Sequence, residues 1–338
     1  MQKLAYCCMM VIPDIEDNAE VLVVYDRNVR SAAGKVCRGR KCHRMAVDAG
    51  EEAKSIGSVM RICRFLLRIN AGRNAFLVAV GGGSVSDIVG LAAGIYKRGI
   101  RYGNVCTTLL SMVDAGIGGK TGVNLCGVKN AVGVFHRPEF TVNDFESLST
   151  LPEREWRSGI AEMLKTFIIA DAAAYEDAVR LFSGVRTLPD AAGSAELERL
   201  VGRAVGIKTD IVRRDPEEKG LRRVLNLGHT VGHALEWHQY CGESAGLTHG
   251  EAVAAGIVHI AGLSEKMGVA QRGTAAKIKA DFAACGLPTE VPVGMEELQK
   301  AMRNDKKASD GGRCINEVLI RRIGEVEVRK LAIEEFFA

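Results

Sequence analysis

The chain has 338 residues, 47% of them apolar and 25% charged, with 38 glycines against 7 prolines. That composition fills a large core, predicts two domains and excludes a disordered or low-complexity chain. Forty-five Lys and Arg against 41 Asp and Glu leave a net charge of +4, far from the dense basic patches of nucleic-acid binders. The longest apolar run near the start, Leu4 to Ile12, has nine residues against the roughly 20 that span a bilayer, so neither a nucleic-acid partner nor a membrane is expected.

The run from Leu4 to Ile12 reads as a first strand, not a signal-peptide core, because Pro13-Asp14-Ile15-Glu16-Asp17 follows it without a small-residue cleavage pattern. Ten cysteines are scattered from Cys7 to Cys314 with no C-x-x-C pair, the pattern of reduced thiols in a cytoplasmic protein. From Val21 to about Val142, apolar runs alternate with helical stretches: Val21 to Val24, Phe76 to Val80, then Asn104 to Thr107. Unbroken β-branched runs followed by glycine and a helix predict a parallel sheet covered on both faces, an α/β Rossmann-like domain over residues 1–149. After Leu151-Pro152 the texture becomes helical, as in Ile160 to Ala170, Glu196 to Val212 and Val253 to Met267, which predicts a mostly α-helical second domain over residues 150–338. No linker-like segment separates the two, so a packed junction is expected, with ligands at the carboxyl ends of the strands in a cleft between the domains.

Gly81-Gly82-Gly83-Ser84-Val85-Ser86-Asp87 follows the best strand and leads into a predicted helix from Asp87 to Tyr96. Glycines let the backbone approach a phosphate, and a helix amino terminus offers unpaired N–H groups; a purely structural turn is the alternative, since this is not G-x-G-x-x-G. Asp26, at the end of the strand from Val21 to Tyr25, suits either a ribose or a turn cap. The stretch from Thr107 to Gly122 ends in Gly118-Gly119-Lys120-Thr121 but has Asp114 where a P-loop needs its first glycine, so the NTPase reading fails. What remains is a glycine-punctuated loop whose Lys120, with Lys129-Asn130 nine residues later, suits a phosphate-bearing substrate.

In the helical half, His229 and His233 stand four apart on one helical face, and His249 follows sixteen residues later. Single histidines on apolar faces are usually core residues. Glycine-flanked and joined by Glu162, these make a His2Glu site with an open position, the arrangement of catalytic Zn2+. Glu162 and Lys165 share a helical face, where an ordinary surface ion pair is the plainer reading.

These stretches together resemble the 3-dehydroquinate synthase family: GGGSVSDIVGLAAGIYKRGI from Gly81, TTLLSMVDAGIGGKTGVN from Thr107, LPEREWRSGIAEMLK from Leu151, LNLGHTVGHALE from Leu225 and THGEAV from Thr248. The resemblance runs from about Val21 to the C-terminus and includes Asp305-Lys306-Lys307 and Arg322-Ile323-Gly324. It implies an enzyme that binds NAD and one divalent metal, zinc or cobalt, and converts 3-deoxy-D-arabino-heptulosonate 7-phosphate into 3-dehydroquinate and phosphate. Glu162, His229 and His249 would hold the metal. NAD would meet Asp26, Glu51, Lys54, Gly82, Gly83, Ser84, Asp87, Thr107, Thr108, Leu110, Thr150, Leu151 and Glu155, with Asp114, Lys120 and Lys129 near both cofactor and substrate. Asn130, Lys165, Lys208, Arg222, Asn226, His233 and one or both of Lys306 and Lys307 would serve the substrate. Arg98 would reach the phosphate in a neighbouring subunit, which implies a homodimer.

In that scheme a substrate hydroxyl gives its hydride to NAD+, phosphate leaves by elimination, the hydride returns, and an aldol closure ends the sequence without net redox. Cys106 replaces a common proline, Ala115-Gly116 a small polar pair and Pro216 an acidic residue, and the segments around Asp26 and Glu51 are shorter than is usual. Rival readings are a cyclase whose sugar phosphate lacks a carboxylate, a metal-dependent polyol dehydrogenase that accumulates NADH, and an inert scaffold; the last would have lost a metal ligand, and none is lost.

Overall fold

The computed structural model describes residues 5–7, 12–13, 15–16, 18–126, 128–240, 246–303 and 314–336. The chain divides into two compact units, Met1–Leu151 and Pro152–Ala338.

In the first unit, strands β1 (Ala5–Cys7) and β2 (Val21–Asp26), helix α1 (Arg30–Val36), β3 (His43–Val47), α2 (Ile56–Arg68), β4 (Phe76–Gly81), α3 (Gly83–Ile95) and β5 (Arg101–Cys106) lead to a hairpin of β6 (Lys120–Leu125) and β7 (Val128–Phe135), then β8 (Phe140–Asn143). Six of these strands form one parallel sheet in the order β1-β8-β5-β4-β2-β3. Alternation along β2 explains why it is buried on both sides: Leu22 and Val24 join a core with α2 and α3, while Val21 and Val23 join one with α1. Phe76 and Phe140 stack in that second core, ring centroids 5.8 Å apart.

Two expectations are corrected here. The segment with Lys120, Lys129 and Asn130 is an antiparallel hairpin and not a loop, with Lys120 opposite Phe135 and Leu125 opposite Val128. Cys37 and Cys42 form a disulfide, Cα atoms 6.0 Å apart, because the turn from α1 into β3 folds their backbones together within pairing range. Cys63, Cys106, Cys126 and Cys285 are free, and burial pushes the Cys106 and Cys285 thiols up to about 12.

The second unit comprises α4 (Glu153–Ala170), α5 (Ala172–Gly184), α6 (Ala195–Arg214), a 3-10 turn at Leu221–Asn226, α7 (His229–Tyr240), α8 (His249–Lys266), α9 (Thr274–Ala284), α10 (Met295–Arg303) and an antiparallel pair, β9 (Cys314–Arg322) and β10 (Glu325–Ala332). That hairpin is the strand element within the mostly helical unit; its turn at Ile323-Gly324, with Gly324 at φ 91°, is its local signal in the sequence. Helix α4 is buried along most of its length and packs against α5, α6 and α8. No described helix is long and apolar enough to cross a membrane.

Phe140→Ala is expected to cost about 3–5 kcal/mol, because the ring is buried and stacked, while Leu67→Ala on the exposed face of α2 stays within about 0.5 kcal/mol. Denaturant unfolding of both variants checks the contrast.

Candidate active site

In the sheet of the first unit, β2 connects outward to β3 while β4 connects the other way to β5, so the carboxyl ends of β2 and β4 flank a topological switch point. Asp26 ends β2 and Gly81 ends β4, and a Cβ on Gly81 would sit 3.4 Å from that of Asp26. Helix α3 starts at this point with no side chain capping its first turn, which leaves its amino terminus to a ligand or water. A Cβ on Gly82 would lie 3.0 Å from Thr108 and one on Gly83 2.9 Å from Ala115, so packing as well as access demands glycine there. The Thr107 N–H donates to Gly81 O at 3.1 Å, which ties the end of β5 to the loop. Ser111 Oγ donates to Thr108 O at 2.8 Å, and Asp114 stands in the π-helical turn Ser111–Ala115. Asp26 Oδ1 accepts from the Asn28 N–H at 2.8 Å, so the residue caps the next turn, and desolvation raises its pKa.

Lys54 is the hub of this unit's polar network. Buried to 7% exposure, its Nζ lies 2.7 Å from Asp87 Oδ2, 3.8 Å from Glu51 Oε1, and donates to Asn130 Oδ1 at 2.6 Å. Asn124, which sequence reasoning missed, completes the network: Nδ2 donates to Glu51 at 2.8 Å and Oδ1 accepts from the Asn130 N–H at 2.9 Å. Burial lifts Asp87 from 3.8 to about 6, against the pull of Lys54 and helped by Glu51 and Asp114. Lys129 and Asn130 stand near the hairpin turn and Lys120 at the open end, roughly 16–20 Å away along the strands at ~3.3 Å per residue.

In the second unit three helices deliver the other cluster. Glu162 comes from α4, His229 opens α7 and His249 opens α8, and their donor atoms all lie within 4.8 Å of one another. Glu162 Oε1 is 3.7 Å from His229 Nε2 and 3.6 Å from His249 Nε2. Each Nδ1 faces an oxygen, Leu227 O at 3.1 Å for His229 and Glu236 Oε1 at 3.2 Å for His249. Carbonyls and carboxylates only accept, so each Nδ1 carries the proton and each Nε2 turns a lone pair toward Glu162.

Lys165 Nζ is 2.5 Å from Glu162 Oε2 with exposures of 1% and 0%, so this is no surface ion pair. The contact is not aligned as a hydrogen bond, and both Glu162 oxygens lack a hydrogen-bond partner among the described residues. Three converging lone-pair donors, one on a fully buried carboxylate, fit a divalent cation; tetrahedral Zn2+ at about 2.0–2.1 Å would set its ligands about 3.4 Å apart.

The backbone around the cluster is locked. A Cβ on Gly250 would meet Ser158 Cα at 2.3 Å, so α8 rests directly on α4 beside Glu162. Thr248 and Glu251 form a capping box at the start of α8, Ser158 and Thr248 hydroxyls meet at 2.7 Å, and Arg154 donates to Glu251 at 2.9 Å. Gly228, at φ 73°, would place a Cβ 2.6 Å from Ile257, and one on Gly256 would lie 2.2 Å from Gly228 O, so α7 and α8 cross at glycine distance.

Two family models cover most of the chain, the N-terminal part of 3-dehydroquinate synthase over residues 44–158 and the C-terminal part over 159–308. The chain belongs to the 3-dehydroquinate synthase family. A synthase of Acidithiobacillus ferrooxidans is 42% identical over 284 residues, 83% of this chain and 75% of that one. One of Symbiobacterium thermophilum is 39% identical over 325 residues, 93% of this chain and 87% of that one. Among solved structures, 2-epi-5-epi-valiolone synthase from Streptomyces hygroscopicus, which has NAD+ and Zn2+ bound, matches with a TM-score of 0.87 at 27% identity, over 100% of this chain and 95% of that one.

The remaining residues implied by the synthase resemblance fall as follows. Ser84 lies in the first turn of α3, Leu110 just before the π-helical turn, and Thr150 and Leu151 close the first unit, Thr150 Oγ1 donating to Ser147 O at 3.1 Å. Glu155 is in the first turn of α4. Arg98 is exposed at φ 69° beyond α3. Lys208 on α6 and Arg222 in the 3-10 turn are buried, at 6% and 3% exposure, and that turn packs on α4 and α6. Arg222 Nη1 donates to Pro216 O at 2.9 Å, and Asn226 Nδ2 to Glu218 Oε1 at 2.7 Å. Lys306 and Lys307 lie outside the described residues.

Two tests follow from this geometry. Gly250→Ala is expected to push α8 from α4, parting His249 from Glu162, so the variant should lose bound metal in elemental analysis while its circular dichroism stays near that of the parent. Asp87 binds its proton more tightly folded (about 6) than unfolded (3.8), so it subtracts stability as pH rises through that window. Relative to Asp87→Asn, the parent is therefore expected to lose stability from pH 4 to pH 6 in urea titrations; a difference that grows in the opposite sense contradicts this.

Proposed function

We propose that the chain is a phosphate-eliminating carbon–oxygen lyase that converts 3-deoxy-D-arabino-heptulosonate 7-phosphate into 3-dehydroquinate, with NAD and one Zn2+ or Co2+. On this reading it works as a cytoplasmic homodimer in the shikimate pathway toward chorismate and the aromatic amino acids. One observation carries it: the buried Glu162 carboxylate faces two lone-pair imidazole nitrogens, in a chain whose sequence fits the synthase family along both halves.

NAD would supply a reversible hydride acceptor, and the divalent cation a Lewis acid at the hydroxyl that is oxidised. Glu162, His229 and His249 hold the cation, and Lys165, fixed against Glu162, stands ready to hold a proton at Nζ. Gly82, Gly83 and Ser84 receive the NAD pyrophosphate at the start of α3, with Asp26 at the ribose and the Lys54 network, Thr107, Thr108, Leu110, Thr150, Leu151 and Glu155 around it. Lys120, Lys129 and Asn130 take the substrate phosphate, approaching from opposite ends of the hairpin, with Asp114 beside them. Arg222, its guanidinium plane fixed by Pro216 O, takes the carboxylate with Lys208 and Asn226, for which a planar fork is well shaped. His233, one turn from His229, transfers protons without ligating. Arg98 serves the partner subunit's site, and Lys306 or Lys307 adds a cation to the substrate.

A second reading, a cyclase for a sugar phosphate without a carboxylate, draws on the likeness to valiolone synthase. Two buried cations, Lys208 and Arg222, favour the carboxylate-bearing substrate. The test is incubation with the heptulosonate 7-phosphate, substoichiometric NAD and Zn2+. Phosphate release over many turnovers without accumulating NADH is expected, with 3-dehydroquinate identified by NMR. Accumulating NADH without phosphate would point to a polyol dehydrogenase, and silence in both channels to a substrate lacking the carboxylate.

A further inference from the structure

We propose that Glu236 is a positioning residue of the metal centre: from the far side of His249 it fixes the tautomer and ring orientation that aim Nε2 at Glu162. The inference rests on the metal reading above and goes beyond the three ligands that the family resemblance names.

The two histidine ligands are held in different ways. His229 turns Nδ1 to Leu227 O, two residues back in the chain, so its ring is set by local backbone. His249 turns Nδ1 to a side chain distant in the chain. Its backbone is fixed by the capping box at the start of α8, its side chain keeps 33% exposure, and its Nδ1 faces Glu236 Oε1 at 3.2 Å, thirteen residues away on α7. Glu236 lies three residues past His233 and seven past His229, which places all three on one face of α7. Its carboxylate is buried to 6% exposure, an expensive place for a charge that serves no purpose.

His233, Glu236 and His249 also gather donor atoms within 4.8 Å. They do not make a second cation site, because His249 Nδ1 carries the proton that Glu236 accepts. The group is instead the outer support of the first: a carboxylate that accepts from a ligating imidazole raises the basicity of the opposite nitrogen and stops the ring from turning.

The experiment measures Zn2+ affinity of the metal-stripped full chain by chelator competition, with the visible spectrum of the Co2+ form as a second readout, for Glu236→Ala, Glu236→Gln and His229→Ala. Glu236→Ala is expected to weaken binding about 10–100-fold with altered Co2+ bands, and Glu236→Gln, which keeps an accepting oxygen without the charge, to fall in between. Affinities of both Glu236 variants within twofold of the parent, with unchanged Co2+ bands, would overturn the proposal. Should Glu236→Ala fail to fold, Glu236→Gln decides alone: at least threefold weaker binding supports the role, and parental affinity overturns it. His229→Ala separates the two readings. If it loses binding while the Glu236 variants do not, only this proposal fails; if it binds like the parent, the metal reading fails and this one with it.

Discussion

The buried carboxylate of Glu162 is the constraint from which the second unit is best understood. A carboxylate with no hydrogen-bond partner among the described residues and no exposure is costly, and one lysine beside Oε2 leaves Oε1 pointing at two nitrogen lone pairs. Only positive charge between them makes that arrangement favourable. The surroundings then follow: three helices must bring three donors to one point, so α8 rests on α4 at Gly250, α7 crosses α8 at Gly228 and Gly256, and the capping box fixes where α8 begins.

The first unit meets a different demand, to set an uncapped helix terminus and the Asp26 carboxylate side by side. Parallel strands do this wherever the winding reverses, and here the reversal lies between β2 and β4. The polar residues around it, which are spread from Glu51 to Asn130, converge on the buried ammonium of Lys54. Its contacts with Asp87 and Asn130 hold the hairpin turn against α3.

Much of this was legible in the residues. The apolar runs of β2, β4 and β5 and the long periodic stretches of α4, α6 and α8 announced their elements, because burial on both faces or along one stripe leaves a plain pattern. The His2Glu set was readable from spacing plus resemblance. What was not legible depends on partners far away in sequence: Glu236 and Asn124 look like ordinary polar residues until the fold seats them against His249 and Glu51. The hairpin carrying Lys120 and Lys129 was hidden by glycines that read as a loop, and the disulfide between Cys37 and Cys42 by the absence of a recognised pair spacing. Glu162 and Lys165 were ambiguous from spacing, since surface and buried ion pairs share it; only their burial separates the two.

The most direct test of the account is zinc K-edge X-ray absorption on the full chain loaded with one equivalent of Zn2+. Two imidazole nitrogens and a carboxylate oxygen at about 2.0–2.1 Å, with one further oxygen from solvent, are the result the cluster requires. A sulfur shell near 2.3 Å, or a spectrum of six oxygen ligands without imidazole, would contradict it.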